Sequence, residues 1–222
     1  MRILYHFWLC PFSRAIRVML AEKGVPFDAT IEKPWERRTG FLELNPASEV
    51  PVLVEPDGAV LAGSQVITEY LDEVHPERSL IGGDSIARAE TRRLVHWFDV
   101  KFNTEVTAKL VGEKMMKRLS GQGYPDTQAI RAGLAEIHVH LAYISYLAER
   151  RRWLGGDHFS AADIAAAAHL SAVDYIGDVP WEEHPGAKDW FVRIKSRPSF
   201  RPLLADHVPG VPPPAHYADL DF

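Results

Sequence analysis

The sequence predicts a small α/β domain followed by an all-helical domain. Strand patterns alternate with helical patterns only in the first third of the chain. Beyond a stretch rich in proline and glycine near residues 76–83, apolar residues recur only at the three- and four-residue spacing of helices. The length of 222 residues is enough for two domains, each with its own buried core.

The first elements predict a strand–helix–strand unit. Residues 2–7 predict a short buried strand, because Ile3, Tyr5 and Phe7 alternate with Arg2, Leu4 and His6. Pro11 favours a helix start, and the helix is predicted to end near Lys23, before Gly24. Alternation over residues 26–32 predicts a second strand, and such a unit favours a parallel pair of strands.

A loop over residues 33–46 and a β-hairpin are predicted next. The hairpin strands, residues 50–54 and 60–62, flank a turn at Asp57-Gly58. Ser64 is predicted to N-cap a helix that ends near His75-Pro76. Residues 1–78 therefore form the predicted α/β domain, and residues 79–85 the linker after it.

Residues 86–205 are predicted to be all-helical. Two long helices are separated by the glycines and the proline of residues 121–125. A third helix begins at Ser160, with Asp163 as the acidic partner of a capping box, and a fourth covers roughly residues 186–197. Three successive prolines exclude a regular helix in the tail, residues 206–222, which is predicted to be extended.

Composition excludes several classes of function. A net charge of -5, with both signs mixed along the chain, gives no reason to expect binding to nucleic acid. No apolar run approaches the ~20 residues of a membrane helix, and no signal peptide is apparent. A single cysteine excludes an intramolecular disulfide and fits the reducing cytoplasm. His138 and His140 do not share a helix face, so no metal site is predicted.

The order of these elements, with three local motifs, resembles the glutathione S-transferase superfamily over about residues 1–205. The motifs are Cys10-Pro-Phe-Ser-Arg14, Val50-Pro51 and Ser64-Gln-Val-Ile67. The resemblance implies a thioredoxin-like first domain, a helical second domain and a cis bond before Pro51. It also implies a homodimer, in which the first domain of each chain contacts the helical domain of the other.

The resemblance further implies a possible glutathione site, although no cofactor is required. In the family the backbone of the residue at Val50 contacts the cysteinyl group, and the serine at Ser64 holds the γ-glutamyl carboxylate at a helix N-terminus. Cys10 would then activate glutathione or transfer a thiol, helped by the helix dipole and Arg14. Ser13 is a second candidate. The alternative is that Cys10 is an apolar filler and Ser13 a first-turn cap.

Two departures from the family pattern weaken the expected glutathione site. Gly63 stands where the family usually has an acidic residue for the γ-glutamyl ammonium. Glu49 stands where a basic or amide residue helps to hold the glycyl carboxylate. Each lost charge-assisted contact costs on the order of 1.5–3 kcal/mol. The alternative is that Arg14, Arg37, Arg38 or a partner subunit supplies the missing charges.

The loop tryptophan Trp35 and the chain end indicate a different role. The ending from His216, together with Pro34-Trp35-Glu36, resembles an alphaproteobacterial subgroup of the superfamily that binds the division GTPase FtsZ and regulates constriction. Trp35 is a lid on a pocket, an exposed anchor for a partner, or a residue that packs on its own domain. The tail either docks a partner or straps its own domain. The candidate partner-binding residues are Trp35, Tyr217, Asp219, Leu220, Asp221 and Phe222.

Two functions therefore remain open. One is a non-catalytic interaction protein that binds FtsZ, which the tail, Gly63 and Glu49 favour. The other is a cytoplasmic glutathione transferase or thiol transferase, which Cys10 favours.

Overall fold

The computed structural model describes residues 1–220 and contains one sheet and two groups of helices. The four strands are β1 Ile3–His6, β2 Asp28–Ile31, β3 Val52–Val54 and β4 Val60–Ala62. They form one sheet in the order β2-β1-β3-β4. β1 pairs in parallel with β2, with Leu4 opposite Ala29, and antiparallel with β3, with Leu4 opposite Leu53. β3 and β4 form the predicted hairpin.

The first helix, α1, spans Pro11–Lys23 as the sequence predicts. Pro11 occupies its first turn, where a missing N–H costs nothing, and Gly24 ends it in the left-handed conformation with φ 68°. The inner face of α1 buries Ile16, Met19 and Leu20 completely or nearly so. This helix therefore fixes the position of Cys10, its N-cap residue, against the sheet.

Three local predictions in the first domain need correction. β3 begins at Val52 rather than at residue 50, because Pro51 has no N–H to give to a strand ladder. The predicted loop contains a 3-10 turn, Pro34–Glu36, and a short helix, α2, at Thr39–Leu42. Phe41 is completely buried, and its burial holds this short helix in place although the neighbouring residues in the sequence are mostly polar.

Ser64 is the first residue of the helix α3 rather than its N-cap. α3 spans Ser64–Val74, and Gly63 is the N-cap, with φ 94° and ψ 142°. A side chain at residue 63 would be strained in this conformation, and glycine is not.

The helical part begins within the predicted linker. The helices after α3 are α4 Ser85–His96, α5 Lys117–Ser120, α6 Thr127–Arg150, α7 Ala161–Tyr175, α8 Pro185–Lys195 and α9 Arg201–Leu204. Asp84 caps α4 by accepting hydrogen bonds from the amides of Ile86 and Ala87, and Leu80 and Ile81 are buried. α4 continues without a break through a π-helical stretch, Trp97–Met116, into α5.

Helix α7 lies at the centre of the helical part, and all of its residues are buried. Its alanine-rich sequence allows close approach on every side, and it packs against both α1 and the π-helical stretch. The predicted capping box is confirmed, because Ser160 and Asp163 bond reciprocally to each other's backbone. The Asp163 carboxylate also accepts hydrogen bonds from the Leu154 amide at 2.9 Å and from Trp190 Nε1 at 3.0 Å.

The described part of the tail folds back onto its own chain. Val208 and Val211 form an isolated bridge, and Ala215–Ala218 form a 3-10 turn. No helix among residues 1–220 is long and apolar enough to cross a bilayer.

Candidate functional site

The structure brings the cysteine of the first motif to the backbone of the second. The Cys10 thiol donates a hydrogen bond to the Val50 carbonyl oxygen at 3.5 Å. The Val50–Pro51 bond is cis, as the resemblance implied. Cys10 is half-buried at the start of α1, and its own amide donates to the Phe7 carbonyl oxygen at 3.2 Å.

Burial raises the pKa of the Cys10 thiol above its ordinary value. A hydrogen bond with Ser13 acts against this shift, and the negative charge of Asp99 adds to it. The hydrogen bonds that the thiol receives at the start of α1, from Ser13 and Phe12, lower its pKa, and burial outweighs them. Sequence reasoning missed Asp99 because it lies in the π-helical stretch, remote in the chain, and no motif marks it.

Arg14 does not assist Cys10. Its guanidinium is fully buried and points to the helical part of the molecule. Nε donates to the Trp8 carbonyl oxygen at 2.6 Å, and Nη1 donates to Tyr217 Oη at 2.8 Å and to Ser171 Oγ at 2.9 Å. The expected pairing of Arg14 with a thiolate is therefore wrong, because the tail and α7 satisfy its donors.

A cleft of about 370 Å³ gathers the residues predicted to hold glutathione. Ser64 lines it from the first turn of α3, and its hydroxyl has no hydrogen-bond partner among residues 1–220. A hydroxyl and free amides at a helix N-terminus can hold a carboxylate. The lining residues are Phe12, Asn45, Ala47, Glu49, Val50, Pro51, Ala62, Gly63 and Ser64.

The side chains of the cleft supply no positive charge. Glu49 is exposed at the rim, and Gly63 adds no side chain. Arg14 is buried elsewhere, Arg38 pairs with Glu32 at 2.6 Å, and neither they nor Arg37 line the cleft. Of the alternatives weighed from the sequence for the missing charges, only a partner subunit remains.

A second depression, here called the tryptophan groove, lies between the first domain and the tail. It is a cavity of about 230 Å³ whose lining combines two indole rings with aliphatic groups and a charged rim. Trp35 packs one edge on Phe7, with ring centroids 5.1 Å apart, and remains half-buried. It therefore both packs on its own domain and lines a groove. The groove residues are Phe7, Trp8, Lys33, Trp35, Glu36, Leu119, Val208 and Pro209.

The tail residues predicted to bind a partner divide into three cases. Tyr217 is fully buried and bonded to Arg14, so its assignment as a contact residue is wrong in the folded chain. Asp219 is exposed and Leu220 is half-buried against the core. Asp221 and Phe222 lie outside the described residues. The strap alternative thus holds for Tyr217.

Comparison with known proteins places these features in a family. The family profile described as "Glutathione S-transferase, N-terminal domain" matches residues 9–74, and the C-terminal domain profile matches residues 127–193. FtsZ-localized protein A of Caulobacter vibrioides is 48% identical over 100% of this chain and 98% of its own.

Two solved structures extend the comparison. A glutathione S-transferase from Rhodospirillum rubrum is 58% identical, with TM-score 0.98 and complete coverage of both chains, 100% and 100%. A glutathione S-transferase from Methylobacillus flagellatus with glutathione bound is 27% identical, with TM-score 0.77 and coverage of 91% of this chain and 98% of its own. The fold, the two profiles and the full-length relative together show that this chain belongs to the glutathione S-transferase superfamily.

Proposed function

We propose that this protein is a non-catalytic member of its superfamily that binds FtsZ in the cytoplasm and regulates constriction of the dividing cell. The observation that carries the proposal is the 48% identity, over the whole chain, to a protein named for its localisation to FtsZ. This identity extends over both domains and the tail. It is therefore stronger support for a shared partner than a shared fold would be.

The proposed contact surface is the tryptophan groove with Asp219 and Leu220 of the tail. Indole rings beside aliphatic groups provide large apolar contact areas, and tryptophan is enriched among residues that dominate binding energy. Lys33 and Glu36, paired at 3.0 Å, give the rim one charge of each sign. Asp219 is exposed and Leu220 is half-buried. An apolar side chain of FtsZ would fill the groove between Trp8, Trp35 and Pro209.

The Cys10 site supports the non-catalytic part of the proposal. Its thiol has a raised pKa and donates to the Val50 carbonyl oxygen. The cleft lacks a cation for either glutathione carboxylate. A neutral thiol is a poor nucleophile, since the thiolate is the reactive form.

Glutathione transfer is the second candidate. The unpaired Ser64 hydroxyl, the cis Val50–Pro51 bond and the glutathione-bound relative favour it. A homodimer would serve this function best, because a partner subunit could supply the missing charge. We propose the same dimer for the FtsZ-binding protein on grounds of family membership.

Two measurements on the full chain discriminate the candidates. Co-sedimentation with GTP-polymerised FtsZ is expected to pellet the protein, and omission of GTP to leave it in the supernatant. Calorimetry with reduced glutathione is expected to give millimolar or weaker binding, as loss of two charge-assisted contacts of about 1.5–3 kcal/mol each predicts. Micromolar glutathione binding without co-sedimentation would reverse the assignment.

A further inference from the structure

One buried side chain, Arg14, connects the two walls of the tryptophan groove. We propose that Arg14 is a positioning residue for the FtsZ-binding surface, which sets the separation between the Trp8 wall and the tail wall. This inference rests on the proposed function and adds to it the residue that assembles the surface. Arg14 itself lies in the interior and would touch no partner.

The first wall is held through the backbone. Arg14 Nε donates to the carbonyl oxygen of Trp8 at 2.6 Å, and the Trp8 side chain lines the groove. The short segment between β1 and α1 is fixed again by the Cys10 amide, which donates to the Phe7 carbonyl oxygen at 3.2 Å. The position of the Trp8 ring thus depends on where the guanidinium lies.

The second wall is held through two tail side chains. Arg14 Nη1 donates to the Tyr217 hydroxyl at 2.8 Å, and Nη2 donates to Asp206 Oδ2 at 3.3 Å. Asp206 lies two residues before Val208, which lines the groove with Pro209. Arg17 holds both oxygens of the same carboxylate, at 2.7 and 3.0 Å. The donors of a single guanidinium therefore reach both walls.

The chemistry of the guanidinium suits this role. A buried charge is costly unless it is paired and its donors are satisfied, so Arg14 is stable only in the geometry that presents all its acceptors together. Its planar fork fixes the directions of several hydrogen bonds at once, which an ammonium group does not do. A change in one wall is consequently transmitted to the other through a rigid group.

The tail has a second attachment that does not involve Arg14. The Tyr175 hydroxyl of α7 donates to the Val211 carbonyl oxygen and accepts from the Val208 amide, both at 2.8 Å. Loss of the Arg14–Tyr217 bond is therefore expected to loosen the alignment of the walls while the tail stays attached. This separates a positioning effect from loss of the folded state.

The test compares two tyrosine-to-phenylalanine substitutions. Each removes a hydroxyl group that accepts a hydrogen bond from an arginine. Tyr217→Phe removes the bond from Arg14 together with the bond that the same hydroxyl donates to the Leu203 carbonyl oxygen at 3.1 Å. The control Tyr143→Phe removes the bond from Arg93, which is 2.9 Å long and involves no groove residue. In co-sedimentation with FtsZ polymers, Tyr217→Phe is expected to weaken binding about tenfold, the size of one hydrogen bond to a charged group. Tyr143→Phe is expected to bind like the wild type. Asp206→Asn serves as a second variant if Tyr217→Phe does not fold.

Amide hydrogen exchange supplies a readout that needs no FtsZ. In Tyr217→Phe, amide exchange is expected to quicken in residues 206–220 and also at the amide of Cys10. Residue 217 does not bond to the segment between β1 and α1, so a change at Cys10 would have to pass through Arg14. Quickening confined to the tail, or unchanged FtsZ affinity in the folded variant, would overturn the inference. Failure of the wild type to bind FtsZ would instead refute the proposed function, and the exchange result would still decide the coupling.

Discussion

The Cys10 thiol lies 3.5 Å from the Val50 carbonyl oxygen and donates its hydrogen bond to it. In the superfamily this stretch of backbone faces the cysteinyl part of glutathione, so here the protein's own cysteine engages a group that a ligand would use. The contact joins the first and second motifs of the sequence. It also gives the thiol a reason to remain protonated, because only the protonated form donates.

The first prediction concerns the protonation of Cys10. Because burial raises its pKa, half-maximal alkylation by iodoacetamide is expected above the ordinary cysteine value of about 8.5. Asp99→Asn is expected to lower that pKa, since removal of a nearby negative charge favours the thiolate. The rate of alkylation as a function of pH, followed by mass spectrometry, measures both. A midpoint near neutrality in the wild type would contradict the account.

The second prediction concerns the charge at the cleft rim. Glu49→Lys is expected to strengthen glutathione binding by about tenfold, because it replaces repulsion of the glycyl carboxylate with a charge-assisted contact. Glu43→Lys is the matched control, since Glu43 is exposed, carries the same charge and does not line the cleft. Calorimetry measures both affinities. An equal gain in the two variants would show a nonspecific effect of net charge.

The third prediction concerns the capping box of α7. Ser160→Ala is expected to lower the free energy of unfolding by about 1 kcal/mol, as for other N-caps. Asp163→Ala leaves the Leu154 amide and Trp190 Nε1 unpaired in the interior and is expected to cost about 2–6 kcal/mol. Urea unfolding measures both values. Equal costs would mean that Asp163 acts only as a cap.

The fourth prediction concerns acid stability. Hydrogen bonds from Arg93, and then from Arg151, lower the pKa of Glu90 to about 2. A lowered pKa stabilises the folded state above the unfolded value and loses that stabilisation as pH falls, here between about pH 4.5 and 2. The unfolding free energy of the wild type is expected to fall more steeply across this window than that of Glu90→Gln. Parallel curves would contradict the assignment.

Much of the fold is predictable from the sequence because its determinants are local. Pro11 and Gly24 mark the ends of α1, Asp57-Gly58 marks the hairpin, and Ser160 with Asp163 marks the start of α7. The errors arose where distant contacts decide the structure. Burial of Phe41 makes a helix in a segment predicted to be a loop. Gly63, with φ 94°, takes the N-cap position that was predicted for Ser64.

The site was only partly predictable for the same reason. The motifs correctly joined Cys10 to Val50 and Ser64 to the cleft. Arg14 was assigned to the thiol because it lies one helical turn away, yet its acceptors are on Tyr217 and Asp206, about 200 residues further along the chain. Asp99 likewise approaches Cys10 only after the domains pack. Neither contact leaves a local pattern in the sequence.

The proposed role is tested most directly by the affinity of the full chain for FtsZ polymers in the wild type and in Trp35→Ala. The control is Tyr146→Ala, an exposed aromatic residue on α6 that does not line the tryptophan groove. Truncation of a tryptophan that anchors an interface costs about 2 kcal/mol or more, so Trp35→Ala is expected to weaken binding at least about thirtyfold. The predicted result is that the wild type and Tyr146→Ala bind FtsZ polymers saturably and that Trp35→Ala loses this binding. Absence of wild-type binding, or equal binding by all three, would contradict it.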